Sequence, residues 1–276
     1  YKVYEVIGPE GYHRNTKPVT ITISDKSYKT MKDEAGNIYL YAECEYYNDE
    51  TYGKVTINKT GLVLKNDIDL VNEDLIETEE CTCPFKFMEN PLSGVKFELT
   101  AREDIMSQDN QGTVLFEKGS VVATIISGKE VEFTKDYDNC KYIINEDGTI
   151  TLDIPLGEYT LKETETRYGF VLPEKYEWDF SFKWSNDEEE YVLDSSENTT
   201  DGFISILNEN VRTDIKLIKK DDKTKRPVSG ATFGFYSKDD IYDVDGNIVV
   251  KKDELITKIT TDADGVAKIP FDVPVM

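Results

Sequence analysis

Three polar side chains stand where strand patterns predict apolar ones, and their types could join two side chains through an amide bond. In "YTLKETETRYGF", Glu163 shares the alternating face of Tyr159 and Leu161. Lys59 ends the apolar alternation of "GKVTINK", and Asn208 ends that of "GFISILNE". We therefore expect an inward Lys, an inward Glu and an inward Asn on three strands.

A dry cluster of these three side chains could carry out a single reaction. Burial lowers the pKa of a Lys and raises that of a Glu, so that a neutral amine can lie beside a protonated carboxyl. The neutral amine is a nucleophile. If it attacks the Asn carboxamide carbon while the Glu polarises the carbonyl and carries protons, ammonia leaves and an amide bond joins Lys to Asn. The alternative is structural: such residues also occur at strand ends, where a polar tip reaches solvent, or as a paired core residue.

The same residue types recur in an internal repeat. The opening segment "YKVYEVIGPEGY" matches the segment around Glu163 without a gap and places Glu5 at the equivalent position. Asn48 shares a face with the apolar residues of "IYLYAECEYYN", and Lys219 ends "TDIKLIK". A second repeat relates "SGVKFELTAREDI" to "SGATFGFYSKDDI". Repeats of this length predict tandem modules.

Composition limits the kind of protein that these modules form. The chain has 276 residues, of which 38% are hydrophobic, enough for two or three small cores. The net charge of −23 argues against nucleic acid or an anionic membrane as partner, because both attract a basic face. Neither a membrane span nor a signal peptide is predicted. Because the chain starts inside a repeat, we expect it to be part of a longer protein.

The elements that must position these side chains are predicted to be β-strands. Short alternating runs such as "PVTITI", "GTITLDI" and "YEWDFSFKW" are separated by "EAGN", "NEDGT", "VDGN" and "DADG". Regular short strands with such turns predict an all-β sandwich or barrel. "DVDGN" is interpreted as a hairpin turn, since the spacing and closing Glu of a calcium loop are missing. No metal site and no cofactor is predicted.

Together these segments resemble the Cna protein B-type, or SpaA-type, domains of Gram-positive pilins and surface adhesins. The family pattern runs from a strand ending in Lys, through Gly-Ala-x-Phe, to Tyr-x-Leu-x-Glu-Thr with Gly-Tyr a few residues later, and closes near Ile-x-Asn. This chain has "SGVKF", "YTLKET", "YGF" and "ISILNE" in that order. The resemblance covers nearly the whole chain. It implies tandem prealbumin-like (immunoglobulin-like) β-sandwich modules with autocatalytic Lys to Asn isopeptide bonds.

By position, the resemblance implies one complete module at residues 52–211. In that module Lys59 would be the nucleophile, Asn208 the acceptor and Glu163 the catalyst.

Two partial modules would flank the complete one. Residues 1–51 correspond to the C-terminal part of a module and keep Glu5 and Asn48. Residues 212–276 correspond to the N-terminal part of a further module and keep Lys219.

The complete module departs from the family pattern in two places. Lys59 precedes Ser93 by 34 residues, whereas Lys219 precedes Ser229 by 10, so the module carries an acidic insertion of 24 residues near 62–90. We interpret it as a surface loop or an extra hairpin, with ligand binding as a further role to consider. "ETRYG" replaces the usual Ala-Pro-x-Gly, and we expect this change to affect only the turn.

The cysteines leave two alternatives open. Cys81 and Cys83 are too close to bond easily with each other. Either could form a disulfide with Cys140 in an oxidising compartment, and free thiols fit the sequence equally well. With one His in the chain, "CTC" does not predict a zinc site.

Two functions fit the resemblance. The first is a structural stalk or shaft of an extracellular adhesin or pilin, anchored to a Gram-positive cell wall or built into a pilus, in which the modules contact their neighbours. The second is a ligand-binding module that recognises a host protein or glycan. An enzyme acting on other molecules is not predicted, because no Ser/His/Asp, Cys/His or metal constellation is present.

The chain ends suggest one further contact. Lys219 of one copy could meet Glu5 and Asn48 of the next and give head-to-tail self-assembly, although an arbitrary boundary of the sequence explains the same ends.

Overall fold

The computed structural model describes residues 1–24, 29–65, 85–138, 140–194, 196–197 and 199–275. All regular elements in these ranges are β-strands, and none is a helix. The described residues therefore include no helix long and apolar enough to cross a membrane. The predicted all-β class is confirmed.

The first strands of the chain are short and pair among themselves. They are β1 (Lys2–Val3), β2 (Tyr12–His13), β3 (Val19–Thr20), β4 (Lys29–Lys32), β5 (Ile38–Tyr41) and β6 (Asp49–Glu50). Strand β1 pairs with β3, β2 with β6, and β4 with β5, each time antiparallel.

The next strands form two larger sheets. They are β7 (Tyr52–Leu64), β8 (Phe87–Pro91), β9 (Lys96–Ala101), β10 (Ile105–Met106), β11 (Val114–Phe116), β12 (Val121–Ile126), β13 (Glu130–Phe133), β14 (Lys141–Ile144), β15 (Ile150–Ile154), β16 (Gly157–Glu165), β17 (Glu177–Phe182), β18 (Tyr191–Leu193) and β19 (Phe203–Asn208). One sheet has the order β13-β12-β9-β16-β17. The other has the order β14-β15-β7-β18, and β8 and β19 also pair with β7.

The last strands again pair among themselves. They are β20 (Lys216–Ile218), β21 (Thr232–Tyr236), β22 (Ile241–Tyr242), β23 (Ile248–Val250), β24 (Leu255–Thr260) and β25 (Val266–Lys268). Strand β20 pairs with β25, β21 with β24, and β22 with β23. The described strands thus pair within residues 1–51, within 52–211 or within 212–276.

The contacts between residues within the chain divide it into two compact units. The first contains residues 1–57, 97–162 and 177–204. Its largest fully buried side chains include Phe97, Phe116, Tyr159 and Phe182. In this unit the two larger sheets face each other closely, since a Cβ on Gly53 of β7 would lie 2.1 Å from Cδ2 of Phe182 in β17. Alternating apolar residues on both sheets therefore form a sandwich core.

The second unit contains residues 58–96, 163–176 and 205–276. One of its apolar clusters is formed by buried Phe85, Ile241 and Val250, against which Leu64 and Phe271 pack. Here β7 runs on past Lys59 to Leu64 and pairs with β8. The extra hairpin expected for the insertion is thus present at its base, while residues 66–84 lie outside the described residues.

The inward face predicted for the segment before Asn48 is wrong for its first residues. Ile38 and Leu40 of β5 are 65% and 50% exposed. Strands β4 and β5 form a two-stranded sheet, and such a ribbon has too little apolar surface of its own to bury one face. Ala42 and Cys44, which belong to the same predicted face, are exposed as well. Alternation alone therefore did not predict burial here, because burial requires a second layer.

Candidate functional site

Three strands of the larger sheets bring Lys59, Glu163 and Asn208 into one cluster in the second unit. Lys59 lies in β7, Glu163 in β16 and Asn208 in β19. Their exposed fractions are 2%, 1% and 0%. Each follows two buried apolar residues at alternate positions, so the pleat of its strand directs the polar side chain into the same dry layer.

The cluster has a defined geometry around the Glu163 carboxyl. Asn208 Nδ2 donates a hydrogen bond to Glu163 Oε1 at 2.5 Å. Lys59 Nζ lies 3.8 Å from Glu163 Oε2, which is within ion-pair range but too long for a hydrogen bond. The carboxyl group is therefore placed between the amine and the carboxamide.

Lys59 has the surroundings of a neutral amine. Its Nζ donates to the carbonyl oxygens of Thr60 at 2.9 Å and Ile206 at 3.3 Å. A neutral amine has two hydrogens, and these two carbonyls accept both of them. Burial lowers the pKa of Lys59 to about 8, although the charge of Glu163 opposes the shift. About a tenth of the amine is therefore neutral, and nucleophilic, at pH 7.

Glu163 is shifted in the direction that favours its protonated form. Burial raises the pKa of Glu163, against the opposing hydrogen bond from Asn208, the charge of Lys59 and the hydrogen bond of Thr166. Its buried Oε2 has no hydrogen-bond partner among the described residues. A protonated carboxyl tolerates such a site better than a carboxylate does, because the neutral form has less hydration to lose.

A fourth residue, Thr166, touches the cluster and was missed by the sequence reasoning. Its Oγ1 accepts a hydrogen bond from Asn208 Nδ2 at 2.6 Å. The expectation that the "ETRYG" change affects only the turn is therefore wrong. Strand parity could not reveal this contact, because β16 ends at Glu165 and alternation no longer applies one residue later. The available signal was a hydroxyl at the position where the resembling family has Ala.

The corresponding residues of the first part of the chain, Glu5 and Asn48, also contact each other. Asn48 Nδ2 donates to both carboxylate oxygens of Glu5, at 2.9 Å and 2.8 Å. The backbone N–H of Asn15 donates to the same carboxylate at 2.9 Å. Glu5 and Asn48 are only half-buried, so this pair is more hydrated than the Glu163 cluster.

Lys219, the equivalent residue of the last part of the chain, is also half-buried. Its Nζ lies 3.4 Å from the carbonyl oxygen of Lys220, the next residue along the chain.

The remaining predicted residues are the cysteines. Cys140 has a free thiol, and burial raises its pKa to about 12. Cys44 is free and exposed. Cys81 and Cys83 lie outside the described residues, so their pairing stays a prediction. Within the described ranges no group of His, Cys, Asp and Glu side chains could hold a metal ion.

Comparison with solved structures finds several chains with partial similarity to this one. The TIE protein of Bacillus anthracis is 17% identical, with a TM-score of 0.47, over 99% of this chain and 34% of that chain. GBS52, the minor pilin of Streptococcus agalactiae, is 17% identical, with a TM-score of 0.27, over 71% of this chain and 59% of that chain. A double mutant of the shaft pilin SpaA from Lactobacillus rhamnosus GG is 17% identical, with a TM-score of 0.28, over 79% of this chain and 81% of that chain.

The chain thus spans about a third of the length of the TIE protein and less than two thirds of GBS52. A comparison with curated protein sequences found no match.

The family comparison covers more of the chain. The SpaA family, described as a prealbumin-like fold domain, matches residues 87–197 and 213–274. These ranges make up more than half of the chain and include most strands of both larger sheets. The chain therefore belongs to the SpaA family of prealbumin-like fold domains, as its motifs predicted.

Proposed function

We propose that this chain is part of the stalk or shaft of a Gram-positive surface adhesin or pilin, stabilised by an amide bond that forms autocatalytically between Lys59 and Asn208. The observation that carries the proposal is the dry cluster of Lys59, Glu163 and Asn208. In this cluster the Glu163 carboxyl contacts both the Lys59 amine and the Asn208 carboxamide. Membership of the SpaA family supports the structural role.

The reaction needs only these three side chains. The neutral Lys59 Nζ attacks Asn208 Cγ and forms the new N–C bond, while the protonated Glu163 lies against Asn208 Nδ2, the nitrogen that must take up a proton before it leaves. Glu163 gives its proton to Asn208 Nδ2 and then takes up a proton from the former amine. The Cγ–Nδ2 bond then breaks and releases one ammonia. Atoms and charge balance without a cofactor, and Glu163 returns to its starting form.

The bond would link strands that already pair. Since β7 and β19 are neighbours in one sheet, an amide between Lys59 and Asn208 would close a covalent loop of about 150 residues. By analogy with a disulfide, closing such a loop removes unfolded-chain entropy worth about 5 kcal/mol. A covalent tie between these strands would also resist peeling under force, which suits a stalk.

We further propose the module boundaries 1–51, 52–211 and 212–276. They are supported by the pairing of the described strands within these three ranges. In this arrangement Glu5 with Asn48, and Lys219, are the corresponding residues of the flanking modules, and neighbouring modules are the immediate partners.

Intact mass of the purified full chain tests the proposal. We expect the wild type to be lighter than its sequence mass by one ammonia, and Glu163→Ala and Asn208→Ala to have their full masses. Glu165→Ala is the matched control: its side chain lies two residues away in β16, is 72% exposed and pairs with Lys96, so it should lose ammonia like the wild type. Tandem mass spectrometry should then identify one branched peptide containing both Lys59 and Asn208. A wild type at full sequence mass overturns the proposal and leaves Glu163 as a structural core residue.

A further inference from the structure

We propose that Thr166 is a positioning residue for this reaction, which holds the departing nitrogen of Asn208 in place through its hydroxyl. The inference rests on the proposed Lys59 to Asn208 bond and adds a fourth residue to it. It also assigns a role to the sequence change in the turn after β16.

The contacts of the Asn208 carboxamide are all on its nitrogen. Nδ2 has two hydrogens, of which one goes to Glu163 Oε1 at 2.5 Å and the other to Thr166 Oγ1 at 2.6 Å. Two acceptors on either side of one planar group fix the rotation of that group about the Cβ–Cγ bond. The electrophilic carbon is thus held in one orientation before the amine attacks.

The carbonyl oxygen of the same group is left without a partner. Asn208 Oδ1 is buried and has no hydrogen bond within the described part of the chain. An Asn that served only to fill the core would be expected to satisfy its acceptor as well, because a buried polar atom without a partner costs about 1–3 kcal/mol. Hydrogen bonding is therefore concentrated on the atom that leaves as ammonia.

Thr166 has its effect after the attack. In the tetrahedral intermediate the Cγ–Nδ2 bond is single, so the nitrogen can rotate, and it carries a lone pair that must accept the proton from Glu163. If Thr166 Oγ1 keeps one N–H in place, rotation is limited, and the lone pair that forms when the nitrogen becomes pyramidal is kept on the side of the carboxyl group. Without the hydroxyl, fewer orientations of the nitrogen lead to proton transfer, and the intermediate returns to reactants more often.

A neighbouring threonine provides the control. Thr164 lies in β16, and its Oγ1 donates to the backbone oxygen of Lys96 at 3.3 Å, away from the cluster. Thr164→Val therefore removes the same hydroxyl, two residues away, without touching Asn208. Thr166→Val removes the proposed contact with Asn208, together with the hydrogen bond of Thr166 to Glu163, at nearly constant volume, and Thr166→Ser keeps the hydroxyl.

The experiment times bond formation in the full chain. Each variant is made by cell-free synthesis with a short labelling pulse, quenched in denaturant at intervals, and its loss of ammonia is followed by intact mass. Folding is followed by resistance to protease in unquenched portions of the same reactions. We expect Thr166→Val to convert about tenfold more slowly than the wild type, as loss of one hydrogen bond in the transition state implies. Thr166→Ser and Thr164→Val should convert at close to the wild-type rate.

Three results would overturn the inference. Thr166→Val could convert as fast as the wild type, Thr166→Ser could convert as slowly as Thr166→Val, or Thr164→Val could slow conversion equally. If Thr166→Val does not fold, Thr166→Ala takes its place with the same expectation. Failure of the wild type itself to lose ammonia would refute the proposed function, and Thr166 with it, whereas equal rates in a wild type that does react would refute only the role of Thr166.

Discussion

At the scale of single residues, the cluster gains reactivity from an environment that costs stability. Lys59 and Glu163 are almost fully buried, and a buried ion pair often fails to recover the free energy lost in desolvation. The same desolvation shifts the pKa values of the two groups toward their neutral forms. A neutral amine beside a neutral carboxyl is what attack on a carboxamide requires. Once an amide has formed, the amine no longer titrates and the cost is removed.

This cost predicts a pH dependence in a variant that cannot form the bond. Burial lowers the pKa of Lys59 to about 8, below its ordinary value of 10.5, and we expect this shift to persist in Asn208→Ala, where the amine stays free. Between these two pH values the unfolded chain binds more protons than the folded one, so the free energy of unfolding rises with pH. We expect the rise to approach about 1.4 kcal/mol per pH unit above pH 8, measured by urea unfolding from pH 7.5 to 9.5.

The matched control for this prediction is Asn208→Ala combined with Lys59→Met, which removes the amine and should remove the rise. Other groups whose titration differs between the folded and unfolded chain, such as the thiol of Cys140, which titrates in this range only when the chain is unfolded, contribute equally to both variants. The difference between the two curves therefore reports Lys59 together with the effect of its charge on the pKa of Glu163. Parallel curves would mean that Lys59 is hydrated and would contradict the dry cluster.

At the scale of elements, β7 positions the nucleophile because neighbours on both sides fix its register. Strand β15 pairs antiparallel with residues 53–57, and β18 pairs parallel with residues 52–54. A slip of one residue would turn Lys59 outward and expose Val55 and Ile57, so the buried face itself specifies the register. Gly53 belongs to this segment, and the close contact with Phe182 leaves no space for a side chain there.

We expect Gly53→Ala to lower the free energy of unfolding by about 1–3 kcal/mol, as overpacking a buried site typically does. A Cβ at this position would lie 2.1 Å from Cδ2 and 2.2 Å from Cγ of Phe182. Combination with Phe182→Leu should recover part of the loss, since the two changes act on one contact. Urea unfolding of the single and double variants measures both effects.

Gly112→Ala is the control for Gly53→Ala. Its Cβ would meet no heavy atom within 4 Å, but the backbone has a φ of +75°. Only the cost of a left-handed residue applies there, about 1 kcal/mol. Equal effects of Phe182→Leu on both glycine variants would contradict a specific contact between Gly53 and Phe182.

At the scale of the whole molecule, the proposed bond would change how the complete module carries load. Lys59 lies near its start and Asn208 near its end, so almost all of residues 52–211 would lie inside the covalent loop. Force entering at one end could pass through the amide to the other end without extending the residues between them. Hydrogen-bonded strands alone lack such a covalent path.

Single-molecule stretching of the full chain, held at both ends, should detect this path. We expect the wild type to extend on unfolding by on the order of 500 Å less than Asn208→Ala, because about 150 residues at 3.3–3.6 Å each cannot be stretched. Asn210→Ala is the control and should extend like the wild type, since Asn210 forms a backbone bridge with Phe170 rather than joining the cluster. Equal extension of the wild type and Asn208→Ala would contradict the load path.

The sequence by itself determined the features that depend on local periodicity. Alternation along β7, β16 and β19 predicted that Lys59, Glu163 and Asn208 point inward, because successive side chains of a strand must point to opposite faces. Their burial confirms that direction. The repeated motifs likewise predicted the family, since each motif combines turn and strand residues at fixed spacing.

The tertiary structure decided which of these patterns become a buried site. The face that includes Ile38 and Leu40 alternates as well as that of β7, yet it stays exposed, because burial depends on a second layer and not on the strand alone. The contact between Thr166 and Asn208 joins residues 42 positions apart, beyond the end of β16, where no local period relates position to direction. Alternation specifies where a side chain points, and only packing specifies what it meets.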